Sequence, residues 1–203
     1  DVHQSMTFSG TFYNRSIVDI DTTKQMSLTG SLQVFNQNGG EITGKGVLAL
    51  SSSATLNFNR GATTGPNPPL LTGALLNFGP AATGVATFIM QSSGVLSGDI
   101  GADQTVWIRN IRQDIIDALT APKGFINAGV IRLESQAGAF ASNLTITSGT
   151  LTNTGVINVN QGAGGGRAIT GTLVNQGAVN VNFNLTFNGT FSNFNTLTID
   201  SAR

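Results

Sequence analysis

The 203-residue sequence predicts an all-β fold, a right-handed parallel β-solenoid. Three observations carry that reading. FINAGVIRL from Phe125, LTNTGVINV from Leu151, LVNQGAVNV from Leu173 and FSNFNTLTI from Phe191 align without gaps as copies of one unit. In each copy an Asn is followed two places on by Gly or Asn, where a turn is expected, and then by two apolar residues at a spacing of two, the strand period. Finally, Asn127, Asn153, Asn175 and Asn193 follow one another at 26, 22 and 18 positions. A left-handed hexapeptide helix would keep to multiples of six, whereas variable coils with Gly-rich insertions fit a right-handed solenoid. An antiparallel β-sandwich is the alternative fold.

The unit extends upstream as a second strand ending in Gly-x-apolar. It reads LTFNGTF from Leu185, MTFSGTF from Met6 and MSLTGSL from Met26, with looser forms ending at Gly73, Gly98, Gly149 and Gly171. The coils between residues 30 and 73, and between 98 and 123, cannot be registered from the pattern. Gly129, Gly155, Gly177 and Asn195 occupy the turn, and the expected reason is that Gly and Asn tolerate positive φ.

Stacked coils place equivalent side chains above one another about 4.8 Å apart. The expected core rows are Phe125, Leu151, Leu173 and Phe191; Ile131, Ile157, Val179 and Leu197; Leu133, Val159, Val181 and Ile199; and Ile146, Ile169 and Phe187. Asn127, Asn153, Asn175 and Asn193 are expected to form a ladder of amides bonding from coil to coil. One stretch departs from this rule. Ile108, Ile111, Ile115 and Leu119 follow helical spacing, which predicts a short helical insertion near 111–119, ended by Pro122 and Gly124.

Composition narrows the function. Ten basic residues balance ten acidic ones, charged residues are 10% of the chain, and no basic stripe tracks a phosphate backbone, so nucleic acid is not an expected partner. There is no cysteine, which removes disulfides and thiolate metal sites. No apolar run reaches the roughly 18 residues of a membrane span. The chain opens on Asp1 without a basic-then-apolar leader, so it is expected to be a mature protein or a fragment.

No catalytic, cofactor or metal site is predicted. Outward positions carry Asp19, Arg132, Asn158, Asn180 and Thr198 in one row and Asp21, Glu134, Asn160, Asn182 and Asp200 in the next, so acids are dispersed among amides. Arg132 and Glu134 read as a solvated pair. His3 is the only histidine, and it reads as an exposed terminal residue, so no Ser nucleophile has a base. Asp19 with Asp21, or Asp99 with Asp103, lack the calcium nonapeptide context. The Gly-rich run from Gly162 to Arg167 lacks the order of a phosphate loop and reads as a variable turn.

The units GTLTNTGVINVN, GTLVNQGAVNVN and GFINAGVIRLES resemble the tandem solenoid repeats of very large bacterial surface proteins, in the style of filamentous haemagglutinin and autotransporter passenger domains. The resemblance covers 124–200 closely and 1–35 less so. It implies secretion to the cell surface and an adhesive or scaffolding role, and it brings no catalytic residues. The expected function is therefore an extracellular structural or adhesive segment. A carbohydrate-binding module using Trp107 and Tyr13 is the alternative; a polysaccharide-degrading enzyme and an ice-binding solenoid fit the residues less well.

Expected partners are copies of the chain or flanking repeats, end to end, with surface glycans a further one. GTFSNFNTLTID from Gly189 matches GTFYNRSIVDID from Gly10, which suggests that both ends share one frame. The residues of such a head-to-tail join would be Asp1, Phe8, Phe12 and Asn14 at one end and Ile199 and Arg203 at the other. An Asp1 following directly on Arg203 would set Asn193 and the next Asn14 within the range of coil lengths.

Overall fold

A computed structural model describes residues 1–109, 117–136, 138 and 140–200. Every strand pair in it is parallel. That excludes the antiparallel sandwich, because each strand pairs in parallel with its equivalent one coil on. Ten strands, from Met6–Phe8 to Thr196–Ile199, form one sheet in chain order, and eleven, from Thr11–Asn14 to Leu185–Asn193, form the other. The molecule is a β-solenoid.

One register column shows how the sequence makes the core. Phe8, Leu28, Leu50, Leu71, Met90, Ile108, Leu133, Val159, Val181 and Ile199 stand one above another through the whole ten-stranded sheet. The residues one position before them form the adjacent outward column, Thr7 to Thr198, because successive strand side chains point to opposite faces. Leu28 to Val159 in the inner column are at most 1% exposed. At roughly 25 cal/mol per Å² of apolar surface, this continuous burial is the main stabilising term.

The predicted rows of the C-terminal half occupy this stack. Phe125, Leu151, Leu173 and Phe191 are in register, as are Ile131, Ile157, Val179 and Leu197. One row needs correction: Leu144, and not Ile146, lies opposite Ile169 and Phe187. Five positions from Thr145 to Thr150 face two from Thr170 to Thr172, so the surplus bulges out and Ile146 pairs with Ala121 below.

The helical expectation also fails where it can be judged. Asp117–Ala121 is a strand, and Gln104–Ile108 is another, so Ile108 and Leu119 are core residues of different sheets. Their helical phase is a coincidence of the distance between two successive strands. Ile111 and Ile115 lie outside the described residues.

The turn glycines are needed for a different reason from the one expected. Gly129, Gly155 and Gly177 are absent from the positive-φ residues, as is Asn195. A Cβ on Gly155 would instead come within 2.2 Å of the Gly129 carbonyl oxygen, and one on Gly177 within 2.2 Å of the Gly155 oxygen. Coils at this corner touch backbone to backbone, and the missing side chain is what permits it.

The two chain ends do not share one frame. Ile17–Ile20 pairs with Glu41–Gly44 in the eleven-stranded sheet, whereas its sequence counterpart Thr196–Ile199 lies in the ten-stranded sheet. Asn14 therefore sits at a different corner from Asn193. A Phe8 following directly on Arg203 would be twelve positions after Ile199, four to the end and eight from the start. The shortest steps in their column, Met90 to Ile108 and Val181 to Ile199, are eighteen. A coil closed by direct tandem joining is too short, and Arg203 itself lies outside the described residues.

Candidate functional site

Polar columns are the chemically distinctive feature of this solenoid. At the corner before each of the last four strands of the ten-stranded sheet, Asn127 Nδ2 donates to Asn153 Oδ1, Asn153 to Asn175 and Asn175 to Asn193, each at 2.7 Å. The same nitrogens reach carbonyls of strand-opening residues in the following coil, Val156 at 3.2 Å, Ala178 at 3.0 Å and Thr196 at 2.9 Å. Asn127, Asn153 and Asn175 are wholly buried. Each amide thus satisfies an amide and a peptide oxygen that would otherwise be buried and unmet, and it locks adjacent coils in register.

The ladder has a direction and a beginning. Ile100 stands below Asn127 in the stack, and Asn127 Oδ1 is buried without a donor. Asn14, near the other end, forms a separate pair with Gln37 at 2.8 Å, and Phe58 and Phe78 continue that column. There the polar corner becomes an aromatic one, Phe58, Phe78 and Phe88 packing edge to face at 5.2 to 6.0 Å.

Outward amide rows add to the inner ladder. Asn180 donates to Asn158 and Asn182 to Asn160, both at 3.0 Å. A row that sequence reasoning missed runs through Asn36, Asn57 and Asn77, with bonds of 2.8 and 2.9 Å. Its signal was an apolar residue before each Asn at spacings of 21 and 20, with Asn36 and Asn57 inside the stretch that could not be registered.

Arg167 was also missed. It is 1% exposed, and its guanidinium donates to the carbonyls of Phe140, Asn160, Gln161, Gly164 and Gly166. Burial draws its pKa down, and the charge of Glu134 opposes that. Arg167 is the internal strut of the Gly-rich turn. Glu134, expected to be solvated, is 9% exposed and is held by Arg132 at 2.5 Å and by Asn160 at 3.0 Å.

Other candidates are occupied. Trp107 lies beneath Arg132, whose guanidinium is 4.3 Å from the ring centroid, and beside Arg109 at 5.0 Å. Two cations crowd the ring that a sugar would need. His3 Nδ1 is 2.5 Å from Asp21 Oδ2, and both are partly exposed. Among the described residues no group of three or more His, Cys, Asp or Glu side chains could hold a metal ion. Among them, too, no helix is long and apolar enough to cross a membrane.

The chain is similar to Outer membrane protein A of Rickettsia rickettsii. The two are 28% identical over 141 residues, which is 69% of this chain and 6% of that protein. The chain therefore spans a small fraction of the relative it matches. No protein-family model matches the sequence, and no solved structure matches it.

At both ends of the stack the core opens. A cavity of about 790 Å³ at the C-terminal end is lined by Leu173, Val179, Phe187, Phe191, Leu197 and Ile199 among others. Ile199 is 70% exposed there. Phe8 and Phe12, in edge contact at 5.4 Å, are half-buried at the other end.

Proposed function

We propose that this chain is a structural segment of an extracellular or cell-surface fibre or adhesin, a rod that works by length and rigidity and has no catalytic role. The observation that carries the reading is the pair of unbroken columns: ten apolar residues from Phe8 to Ile199, and the inner amide ladder from Asn127 to Asn193. The apolar column joins every coil to the next, and from Asn127 onward the amides brace the same steps, so bending there breaks hydrogen bonds and apolar contacts together. The likeness to an outer membrane protein supports a place at the bacterial cell surface.

The non-enzymatic reading is supported by the engagement of the polar groups, with Glu134 tied to Arg132 and Asn160 and the lone His3 paired with Asp21. The open ends support continuation of the stack, by flanking repeats or by another copy. Ile199 and Phe8 end one column of the same sheet, so a second copy set coil on coil meets in register there. Unpaired strand edges favour such addition.

Negative-stain electron microscopy of the purified chain tests this. Straight rods of constant width are expected, about 43 Å long for nine steps of the ten-stranded sheet, each added copy lengthening the rod by ten steps, about 48 Å. Round particles, or only side-by-side clusters, would contradict it.

A further inference from the structure

On the face of the eleven-stranded sheet near the N-terminal end lies a shallow groove of about 630 Å³, lined by Arg15, Asn38, Gly39, Gly40, Asn59 and Arg60. Two guanidinium groups and two amides line it, and no carboxylate does. Glu41, next to Gly40 in sequence, is engaged by the Thr64 hydroxyl. In a chain whose charges balance, two exposed arginines without an acid between them make a local positive field.

The groove is organised from within. Asn14 Oδ1 accepts from the Ser16 backbone N–H at 3.2 Å, fixing the corner from which Arg15 projects into solvent. Arg60 Nε donates to the Asn38 carbonyl at 2.8 Å, which anchors the guanidinium while its terminal nitrogens remain available to an anion. Asn59 Nδ2 is held on Asn38 Oδ1 at 2.6 Å. The register sets Arg15 and Arg60 two coils apart, about 10 Å by the strand spacing. Such a separation suits a polymer with repeated charges better than one small anion.

Beside the groove stands a surface suited to sugar rings. Tyr13, 60% exposed, is in register with Asn36, and so heads the outward amide row of Asn36, Asn57 and Asn77. An exposed phenol ring offers a stacking face, and the amides offer donors and acceptors to hydroxyls. We propose that this face binds an acidic polysaccharide, its carboxylate or sulfate groups on Arg15 and Arg60 and a neighbouring sugar ring on Tyr13. The proposal adds a ligand to the structural role and does not depend on it.

The test is titration of the full chain with polygalacturonate, dextran sulfate and neutral dextran, with inorganic sulfate and single-stranded DNA alongside. At least one acidic polysaccharide should bind, weakening as salt rises, and neutral dextran should not. R15Q and R60Q should each weaken binding about tenfold, the size of one charge-assisted hydrogen bond. K123Q, the same charge change elsewhere, should leave it unaltered, and Y13A should weaken the polysaccharide without moving its salt dependence. Thermal melting of each variant separates lost folding from lost binding, and R15Q, which removes no internal bond, keeps the test decisive if R60Q unfolds. Equal binding of neutral dextran, equal binding of DNA, retention of binding in the R15Q/R60Q double variant, or an effect of inorganic sulfate alone would each overturn the proposal.

Discussion

Asn153 Nδ2 lies 2.7 Å from Asn175 Oδ1, and both side chains are wholly buried at the same corner of successive coils. Replacing Asn153 with Ala removes one acceptor of the Asn127 amide below and the donor shared by the Asn175 and Ala178 oxygens above. The expected loss is about 3 kcal/mol, since each buried polar group left unmet costs roughly 1–3 kcal/mol. Asn180→Ala, on the outward row, should cost under about 1 kcal/mol because water replaces its partner. Urea melts of the two variants check this.

The corner glycines give a second expectation. Gly155→Ala puts a methyl group against the Gly129 carbonyl and should destabilise the fold by about 3 kcal/mol or more through overpacking against backbone. Gly166 has open space around its position and no positive φ. Gly166→Ala should be neutral or stabilising by up to about 1 kcal/mol, through the unfolded chain. Similar losses for both would mean that the coils are not in backbone contact at this corner.

Truncating the core should follow the columns. Leu173 is 1% exposed between Leu151 and Phe191, so Leu173→Ala should cost about 2–5 kcal/mol. Thr152→Ala, on the neighbouring outward position, should stay within about 0.5 kcal/mol. Chemical denaturation curves with equal shifts would refute the register.

Arg167→Leu removes the donor shared by five carbonyls, three of them in the turn. The turn from Gln161 to Gly166 should then open locally, seen as faster amide exchange and proteolysis there, while the core coils keep their protection. Unchanged exchange in that turn would show that Arg167 is not its strut.

These particulars show which features the sequence displays. The inner ladder was legible because one residue type recurs with apolar neighbours at fixed offsets, as from Asn127 to Asn193. The row Asn36, Asn57 and Asn77 was hidden because the residue before each Asn changes between Phe and Leu, the one after is Gln37 in one coil and Phe in the others, and no Gly follows at a fixed offset. Arg167 reads as a surface charge, since burial of a guanidinium depends on carbonyls that only the folded turn gathers. Helical spacing around Ile108 and Leu119 misled because period counting assumes one continuous element, and here two strands in different sheets supply the residues. The likeness of Gly10–Asp21 to Gly189–Asp200 misled for a related reason: similar strand-turn-strand sequences serve at different corners of the coil.

The central claim is a straight stack of coils, and the outward column of the ten-stranded sheet measures it directly. Thr7, Ser27, Ala49, Leu70, Ile89, Trp107, Arg132, Asn158, Asn180 and Thr198 are in register one above another. Because the chain has no cysteine, Thr7→Cys with Thr198→Cys, and Ser27→Cys with Asn180→Cys, accept spin labels without background. Pulsed dipolar spectroscopy should give narrow distributions near 43 Å for nine coil steps and near 34 Å for seven, by the strand spacing. Broad distributions, or a shorter distance for the outer pair than for the inner one, would contradict the stacked rod.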